Sequence, residues 1–544
     1  MQTGELIRAL SDPAAYPFSV SDIEVKQTHI SMVFLAGEFV YKVKKPVKLS
    51  FLDFSTFEKR RHFCEEEVRL NRRLAPDVYL GVVPITGDGA GLCFEGAGEP
   101  VDWAVKMRRL SQEATLERRL ARNALAPEGL VALARRLADF HRMAARSDHI
   151  SEFGRFDTVA RNIRENFAVA APLVGQTMSR SVRDRLISLT EESLSALRAV
   201  IDTRATQNVP CDTHGDLHLD HVYLFPDRQP PGDLIVVDCI EFNERFRYAD
   251  PVADMAFLAM DLAFHGRSDL ADVFADAWFE ASGDVEGRGL LPLYVSYRAA
   301  VRGKVDGLQL VESEIPEAAR ARALSRAHGH WLLALNTLES PGRRVCLVLV
   351  GGLPGTGKSS LAASLAAAGN FRVIRSDVVR KELAGIACDA NATAPGGAEI
   401  YTREWTDRTY AECLRRAEDQ FFDGERVIID ATFVEEGRRQ TFLDAAVRWG
   451  IPALFLICKA DEATVQARLE SRRGDASDAD WLVYREAARR WDEPKAQMVR
   501  ITQNIWTGAS PEAAIDSAWK ALVEFGLAGE GAQSIAFPGA HHRP

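Results

Sequence analysis

The chain has 544 residues, of which 47% are hydrophobic and 26% are charged, and this composition is typical of an ordinary globular protein rather than a disordered or fibrous one. A chain of this length exceeds what one hydrophobic core usually supports, so we expect two or three domains. The net charge of −10 disfavours nucleic acid and anionic membrane as general partners, although it does not exclude a local basic groove.

The first predicted elements along the chain are strands. Residues 20–110 contain alternating polar and apolar side chains, as in residues 32–43, where Gly37 and Glu38 mark a hairpin turn. A helix is predicted from Phe57 to Leu74. Residues 111–205 then have Ala, Leu and Arg at helical spacing, so helices follow the strands.

A short strand pair is predicted next, from the apolar runs 222–225 and 234–237, which a turn-rich segment separates. These strands frame a loop that begins with His214. Helices fill residues 250–337, and we expect Asp254 and Asp261, seven residues apart on one helix face, to cap that helix and to hydrogen-bond back to the loop.

From residue 345 onward, apolar strands alternate with helices. The predicted strands are residues 345–350, 373–374, 427–429 and 453–458. This alternation predicts a parallel sheet covered on both faces. We expect one domain over residues 1–340, a second over residues 341–528 and a disordered tail over residues 529–544.

Cysteine usage and the N-terminus indicate the compartment. The eight cysteines form no Cys-x-x-Cys pair, and several lie in apolar runs, so we interpret them as small core residues in a reducing environment. The segment from Met1 to Glu5 contains no basic stretch leading into an apolar core, and no apolar run reaches membrane-spanning length. These features predict a cytoplasmic protein with no membrane partner.

A phosphate-binding loop follows the strand 345–350 directly, because residues 352–360 read Gly-Leu-Pro-Gly-Thr-Gly-Lys-Ser-Ser. Small residues let consecutive backbone N–H groups surround a polyphosphate, Lys358 reaches the terminal phosphates, and Ser359 can bind Mg²⁺. The pattern predicts ATP and Mg²⁺ as cofactors. The predicted nucleotide-contacting residues of this loop are Gly352, Gly355, Thr356, Gly357, Lys358, Ser359 and Ser360.

Five further side chains after the phosphate-binding loop belong to the same candidate site. Asp377 follows the second strand and is predicted to act as general base or to orient the acceptor hydroxyl, with Arg380 binding substrate or phosphate; a helix N-cap is the alternative for Asp377. Asp430 ends an apolar strand at the position of a magnesium-binding acid. Arg468 and Arg472, spaced i to i+4, suit a lid over the transferring phosphate, although a surface helix is the alternative.

A separate candidate site lies upstream of the phosphate-binding loop. It comprises the segment His214-Gly-Asp-Leu-His218 and Asp238, which follows an apolar run. Phosphoryl transfer needs one carboxylate that orients the acceptor hydroxyl and another that holds magnesium, and Asp216 and Asp238 suit these two roles. This segment resembles the aminoglycoside phosphotransferase and choline kinase branch of the protein-kinase-like fold, whose catalytic loop reads His-Gly-Asp-x-His-x-x-Asn. The resemblance implies that Lys42 contacts the ATP phosphates, that Glu67 is its ion-pair partner and that residues 102–108 contact adenine. A solvated strand face is the alternative for Lys42.

One position departs from that family. The magnesium-binding asparagine is replaced by His221, and a neutral imidazole is a poorer ligand for magnesium than an amide oxygen. Either His221 binds or supports the metal differently, or this lobe binds nucleotide weakly and has lost turnover. For His214 and His218 we favour a hydrogen-bonding scaffold over a zinc site, because no cysteine or further histidine completes a motif-spaced ligand set.

The C-terminal set resembles the gluconate kinase, zeta toxin and polynucleotide kinase group. Together the two resemblances cover nearly the whole chain, and they imply an α+β protein-kinase-like lobe pair followed by an α/β P-loop domain with a parallel sheet. The implied function is an ATP-dependent phosphotransferase with two sites, acting on hydroxyl groups of small molecules. Two alternatives stay open: an N-terminal ligand-sensing pseudokinase that regulates the P-loop domain, and a polynucleotide 5′-hydroxyl kinase. The acceptors and the oligomeric state have no signature in the sequence.

Overall fold

The computed structural model of the protein describes residues 3–49, 51–87, 91–311, 315–387, 398–471, 477–495 and 497–530. Internal contacts group the chain into two compact units. The first comprises residues 1–162, 196–262 and 267–295, and the second comprises residues 163–195, 263–266 and 296–544. A single domain boundary between residues 340 and 341 stays a prediction. The predicted tail lies outside the described residues from residue 531 onward.

The N-terminal strands of the first unit form a six-stranded antiparallel sheet in the order β1-β2-β3-β8-β6-β7, and β4 pairs with β5 separately. The predicted hairpin is confirmed, because β2 and β3 are joined by a two-residue turn in which Gly37 has a φ of 58°. The strands are β1 (Ile23–Gln27), β2 (Ser31–Ala36), β3 (Phe39–Lys44), β4 (Lys48–Leu49), β5 (Leu52–Asp53), β6 (Tyr79–Gly87), β7 (Leu92–Phe94) and β8 (Pro100–Arg108).

Both faces of this sheet are covered. On one face, Tyr41 of β3 joins a core that includes the helix α1 (Thr3–Leu10). On the other face, the helix α2 (Phe57–Asn71) packs against β6 and β8. Because side chains alternate along a strand, Lys42 and Lys44 lie on the face that α2 covers.

Helices dominate the chain between β8 and the parallel sheet, as the sequence predicted. The helix α9 among them is buried along most of its length and places Asp254 at 0% exposure. These helices are α3 (Leu116–Ala121), α4 (Pro127–Met143), α5 (Asp148–Phe153), α6 (Phe156–Ala170), α7 (Arg180–Thr206), α8 (Glu244–Arg247), α9 (Pro251–Phe264), α10 (Ser268–Ser282), α11 (Leu291–Leu308) and α12 (Glu317–Leu338).

Two short strand pairs flank the loop that contains Asp216. The strand β9 (Cys211–Asp212) pairs antiparallel with β12 (Tyr248–Ala249), and β10 (Val222–Leu224) pairs antiparallel with β11 (Leu234–Val236). The strand pair predicted on either side of the turn-rich segment is therefore confirmed.

The second unit contains a five-stranded parallel sheet in the order β14-β15-β13-β16-β17, which confirms the predicted sheet type. Its strands are β13 (Leu347–Gly351), β14 (Arg372–Arg375), β15 (Val427–Asp430), β16 (Ala453–Lys459) and β17 (Thr502–Trp506). Sequence reasoning missed β17, because this edge strand is mostly polar and partly exposed and therefore lacks the apolar run that marks a buried strand.

The central position of β13 places the loop after it at the carboxyl ends of neighbouring strands, where open α/β sheets bind ligands. Buried residues of α13 and α20 form a core with β13 and β16. The helices of this part are α13 (Lys358–Gly369), α14 (Ser376–Leu383), α15 (Arg403–Phe422), α16 (Glu436–Arg448), α17 (Glu462–Ser471), α18 (Trp481–Arg489), α19 (Gln497–Arg500) and α20 (Pro511–Glu524).

The cysteines of the described residues are all free thiols, and every one except the partly exposed Cys93 is buried. Their prediction as small core residues is confirmed for these buried positions. Among the described helices, none combines the length and the apolar character needed to cross a membrane.

Candidate functional site

Lys42 of β3 is the cation at the centre of the first candidate site. Its Nζ lies 2.9 Å from Oε1 of Glu67 on α2 and 2.6 Å from Oδ1 of Asp238, which follows β11. The Lys42 side chain is 14% exposed, and that of Glu67 is fully buried. The structure thus brings together three of the predicted site residues, and the alternative of a solvated strand face for Lys42 is wrong.

These charges stabilise one another's ionised forms. Burial alone would lower the pKa of Lys42, but the carboxylates of Asp238 and Glu67 raise it well above its usual value. Burial alone would raise the pKa of Asp238, whereas Lys42 and His221 lower it. At neutral pH the lysine therefore stays positively charged and can contact a phosphate, while the aspartate stays ionised and can bind a cation.

A second lysine, Lys44, lies two residues further along β3, and sequence reasoning did not single it out. Its Nζ lies 2.7 Å from Oε2 of Glu67 and also pairs with Glu241, and its side chain is 1% exposed. Burial alone would lower the pKa of Lys44, but Glu241 and Glu67 raise it. The spacing of two residues between Lys42 and Lys44 is the sequence signal that both side chains point toward the same helix.

Replacement of Lys44 by methionine is expected to lower the free energy of unfolding by about 3–5 kcal/mol, because it leaves the buried carboxylate of Glu241 without its cation. Glu67 keeps Lys42 as a partner, so the cost arises at Glu241. Denaturant unfolding of the full chain, followed by tryptophan fluorescence, measures the loss.

Two variants control this prediction. Lys48→Met removes a lysine whose side chain is 74% exposed, and it should change stability by less than about 0.5 kcal/mol. The double variant Lys44→Met with Glu241→Gln removes both charges and should recover most of the loss. Equal unfolding midpoints for Lys44→Met and Lys48→Met would contradict the prediction.

The loop between β9 and β10 is held by two aspartates of α9. Asp254 accepts hydrogen bonds from the backbone N–H groups of His214 and Gly215, at 3.0 and 2.8 Å. Asp261 accepts one from the N–H of Leu219 at 2.9 Å. The predicted hydrogen bonds from this helix back to the loop are therefore confirmed.

His214 belongs to the same scaffold. The N–H of Asp216 donates to Nδ1 of His214 at 3.3 Å, so Nε2 carries the ring hydrogen and donates to the carbonyl oxygen of Val237 at 2.9 Å. Burial lowers the pKa of His214 to about 4, which keeps the ring neutral. This is the scaffold role that the sequence predicted.

His218 lies between two carboxylates. Its Nε2 is 3.3 Å from Oδ2 of Asp216, and its Nδ1 contacts the carboxylate of Asp220. Burial alone would lower the pKa of His218, but Asp216 and Asp220 raise it to about 10. The ring is therefore a cation that holds the side chain of Asp216 in place.

His221 and Asp238 face each other across the site. Nδ1 of His221 lies 2.9 Å from the backbone oxygen of Asp216, and Nε2 lies 3.5 Å from Oδ2 of Asp238. Asp238 has a φ of 66°, in the left-handed region, which costs a residue other than glycine about 1–3 kcal/mol. The strained backbone directs this carboxylate toward Lys42 and His221.

The same loop offers a donor set for a divalent cation. One ligand atom each of Asp216, His218 and His221 lies within 4.8 Å of the others. His218 directs both ring nitrogens at carboxylates, so His221 and the carboxylates of Asp216 and Asp238 are the groups that fit a cation.

The second candidate site is the loop between β13 and α13. Gly352, Gly355 and Gly357 have φ values of 132°, 79° and 87°, which favour glycine. A Cβ on Gly352 would lie 2.5 Å from the backbone oxygen of Cys458. The helix begins at Lys358, whose Nζ donates to a backbone carbonyl of the loop at 3.0 Å. The motif thus has the strand, turn and helix that its chemistry requires.

Three hydroxyl side chains of this motif differ in their surroundings. Thr356 is buried, and its Oγ1 donates to the carbonyl oxygen of Leu353 at 2.7 Å. Ser360, in the first turn of α13, is exposed. Ser359 is half-buried and hydrogen-bonds to Asp430 at the end of β15, so the structure brings together these two predicted magnesium ligands.

Arg375 also contacts this pair, and sequence reasoning did not single it out. Its Nη2 donates to Oγ of Ser359 at 3.3 Å, and its Nε lies 3.4 Å from Oδ2 of Asp430. Arg375 and Asp430 occupy matched positions at the ends of adjacent parallel strands, and this register is the signal that could have identified the arginine. Burial raises the pKa of Asp430, against the opposing effect of Lys358.

Asp377 lies in the first turn of α14, directly after β14, and is half-buried. The N-cap of this helix is Arg375, so the N-cap alternative for Asp377 is wrong. The carboxylate is close enough to Asp430 to raise the pKa of that residue. Asp377 therefore lies on the same side of the sheet as the phosphate loop, and its role as a base stays a prediction.

Arg380, one turn further along α14, is 7% exposed. Its Nη1 donates to the carbonyl oxygen of Ile400 at 2.6 Å and to Oγ1 of Thr406 at 3.3 Å. These bonds tie α14 to the start of α15, and a substrate-binding role for Arg380 stays a prediction.

Arg468 on α17 lies beside the phosphate loop. Its Nη2 donates to the carbonyl oxygen of Thr507 at 2.7 Å, and Oγ1 of Thr507 donates to the carbonyl oxygen of Thr356 at 2.5 Å. Arg472, the second predicted lid arginine, lies outside the described residues.

Two family models match the chain. The model described as "Phosphotransferase enzyme family" matches residues 56–291, and the model described as "AAA domain" matches residues 347–494. The chain therefore has a kinase-like phosphotransferase part followed by a P-loop kinase-like part with a parallel sheet, as the sequence predicted.

Curated relatives match almost end to end. The Mycobacterium tuberculosis protein named "Uncharacterized protein Rv2004c" is 33% identical over 500 residues, which cover 90% of this chain and 96% of that protein. The Mycobacterium bovis protein named "Uncharacterized protein Mb2027c" matches with the same identity and coverage.

Solved structures match each part separately. A choline/ethanolamine kinase family protein from Mesorhizobium loti is 14% identical and covers 62% of this chain and 99% of its own, with a TM-score of 0.36. A gluconokinase from Sinorhizobium meliloti is 17% identical and covers 34% of this chain and 93% of its own, with a TM-score of 0.26.

Proposed function

Since this chain belongs to the same family as those mycobacterial proteins, we propose one function for its two parts, that of an ATP-dependent kinase with two nucleotide sites. One site lies in the phosphotransferase-family part and the other in the P-loop part. Each site transfers the γ-phosphate of ATP to a hydroxyl group of a small molecule. The observation that supports the proposal is that each part brings a lysine close to a carboxylate, with a further acid on the same side. In the first part these are Lys42, Asp238 and Asp216, and in the second they are Lys358, Asp430 and Asp377.

In the first part, Lys42 contacts the phosphates, and its position is fixed by Glu67. Asp216, held by His218, orients the acceptor hydroxyl and takes its proton. Mg²⁺ or another divalent ion neutralises the phosphate charge when it is bound, and Asp238 with His221 would hold it. Residues 102–108 of β8 lie in the strand that we assign to adenine.

In the second part, the loop glycines and Lys358 bind the phosphates, and Ser359 with Asp430 would hold Mg²⁺. Arg375 contacts both of these residues and compensates the Asp430 charge. Asp377 orients the acceptor hydroxyl. Arg468 lies beside the loop, where its charge favours the transferring phosphate.

A screen with radiolabelled ATP tests the two-site proposal. Sugars, polyols, aminoglycosides, nucleosides and oligonucleotides are offered to the full chain, to Asp216→Asn, to Lys358→Ala and to the double variant. We expect each single variant to lose transfer to a different set of small acceptors and the double variant to lose all transfer, because each replacement removes one site. Transfer that survives in the double variant, or that is confined to oligonucleotides, would contradict the proposal.

The presence of His221 favours another candidate function for the first part of the chain. In this alternative, the first part is a nucleotide-sensing pseudokinase that regulates the P-loop part. Imidazole in place of an amide oxygen weakens magnesium binding and hence turnover. Calorimetry and an ADP-release assay on the full chain with Lys358→Ala and Ser359→Ala, which disable the second site, separate the two functions. ATP binding without acceptor-dependent ADP release supports sensing, and acceptor-dependent release supports catalysis.

A further inference from the structure

We propose that the first part binds a first-row transition-metal ion, such as Mn²⁺, Fe²⁺ or Co²⁺, in preference to Mg²⁺, through Nε2 of His221 and Oδ2 of Asp238. The inference rests on the proposed function in one respect, since phosphate oxygens of the nucleotide in this site complete the ligand set. The chain would then have two metal sites, one that prefers a transition-metal ion and one that prefers Mg²⁺.

The hydrogen bond at Nδ1 determines which nitrogen of His221 can bind a metal. Nδ1 lies 2.9 Å from the backbone oxygen of Asp216, and a carbonyl oxygen only accepts, so Nδ1 carries the hydrogen. In the neutral ring the lone pair is then on Nε2. Histidines that bind metals usually donate their other ring N–H to a carbonyl or carboxylate in this way, which fixes the tautomer and the ring plane.

Nε2 of His221 faces a carboxylate oxygen of Asp238. Oδ1 of Asp238 accepts from Lys42 at 2.6 Å, which leaves Oδ2 facing Nε2 at 3.5 Å. Two ligand atoms that lie about 2.1 Å from one ion, at an angle of about 90–110°, are about 3.0–3.4 Å apart. A cation therefore fits between them after a shift of a few tenths of an ångström.

The nitrogen ligand from His221 determines the preference of the site for a transition-metal ion over Mg²⁺. Mg²⁺ is a hard ion that takes oxygen ligands and gains little from imidazole, whereas transition ions bind imidazole well. The second part offers a contrast within the same chain, because Ser359 and Asp430 supply a hydroxyl and a carboxylate. That set suits Mg²⁺, so the two sites should respond differently to the same mixture of ions.

His218 is a matched control for His221. Its ring lies 3.8 Å from the ring of His221, centroid to centroid, but both of its nitrogens are directed at carboxylates. His218 is thus a histidine of the same loop, but neither of its ring nitrogens is directed at the proposed metal position.

The test uses the full chain with Lys358→Ala and Ser359→Ala, which disable nucleotide and metal binding in the second part. This parent is prepared with isotope-labelled histidine and loaded with Mn²⁺ and a non-hydrolysable ATP analogue. Electron spin echo envelope modulation then detects any histidine nitrogen bound to the Mn²⁺. We expect the histidine coupling in the parent and in His218→Asn, and its loss in His221→Asn.

Competition with Mg²⁺ gives a second readout. The Mg²⁺ concentration that displaces half of the bound Mn²⁺ should fall at least about tenfold in His221→Asn, because the variant restores an oxygen ligand and removes the nitrogen. An unchanged displacement concentration, a parent without histidine coupling, or coupling that persists in His221→Asn would overturn the inference.

The inference and the proposed function fail in different ways. Acceptor-dependent ADP release with Mg²⁺ that requires Asp216 supports the kinase function even if no histidine coupling is seen. Absence of analogue binding in the Lys358→Ala, Ser359→Ala parent overturns both the nucleotide site of the first part and the metal preference that rests on it.

Discussion

Replacing Asp216 by asparagine is expected to lower kcat for the acceptors of the first part by about 10²–10⁴-fold, because an amide accepts a hydrogen bond but cannot take the acceptor's proton. The effect should fall on kcat and leave the KM for ATP nearly unchanged, since Lys42 and Asp238, not Asp216, make the proposed contacts to the nucleotide and its cation. Steady-state kinetics of ADP release in the Lys358→Ala background measure the change with the second site silent.

Asp220→Asn is the matched control for this prediction. Asp220 contacts the opposite ring nitrogen of His218, and its side chain is 49% exposed. Its replacement alters the support of the same histidine but leaves the proposed base intact, so kcat should fall by less than about tenfold. If the Asp216→Asn and Asp220→Asn variants had the same kcat, Asp216 would not be the base.

The elements that sequence reasoning predicted well are those whose burial leaves a local pattern. The strands β13, β15 and β16 are buried on both faces, so each reads as a continuous apolar run, and the phosphate loop follows the first of them directly. The turn between β2 and β3 requires a positive φ at Gly37, which glycine supplies. In each case the physical cause acts within a few residues.

The pairing of charges across the first site could not be derived in the same way. Lys42 and Asp238 are 196 residues apart. Only the resemblance to a known family assigned both residues to one site, and it named Glu67, not Asp238, as the ion-pair partner of Lys42. Lys44 and Glu241 were not expected at all, because a lysine among other lysines looks solvated until the fold places a helix over its strand. Arg380 shows the converse, since a charged residue near a motif proved to be buried and bonded to the backbone of a neighbouring turn.

Lys358→Ala is expected to lower kcat/KM for the acceptors of the second part by about 10²–10³-fold, because it removes the cation that faces the charge developing on the transferring phosphate. The Nζ of Lys358 donates to a carbonyl of its own loop, and its charge opposes the rise that burial causes in the pKa of Asp430. The unfolding midpoint of the variant is therefore measured beside the kinetics, which separates lost catalysis from lost stability. Kinetics in the Asp216→Asn background isolate this site.

Lys459→Ala separates a local effect of Lys358 from a general effect of lost positive charge. Lys459 ends β16 and is exposed, while its backbone oxygen accepts from Thr507, which is bonded to the phosphate loop. Since alanine keeps that backbone contact and removes the same charge, kcat/KM should change by less than about threefold. If the two alanine variants lost activity equally, the effect would come from the field of the whole sheet edge rather than from a lysine at the phosphates, and the assignment of this loop as the catalytic phosphate site would fail.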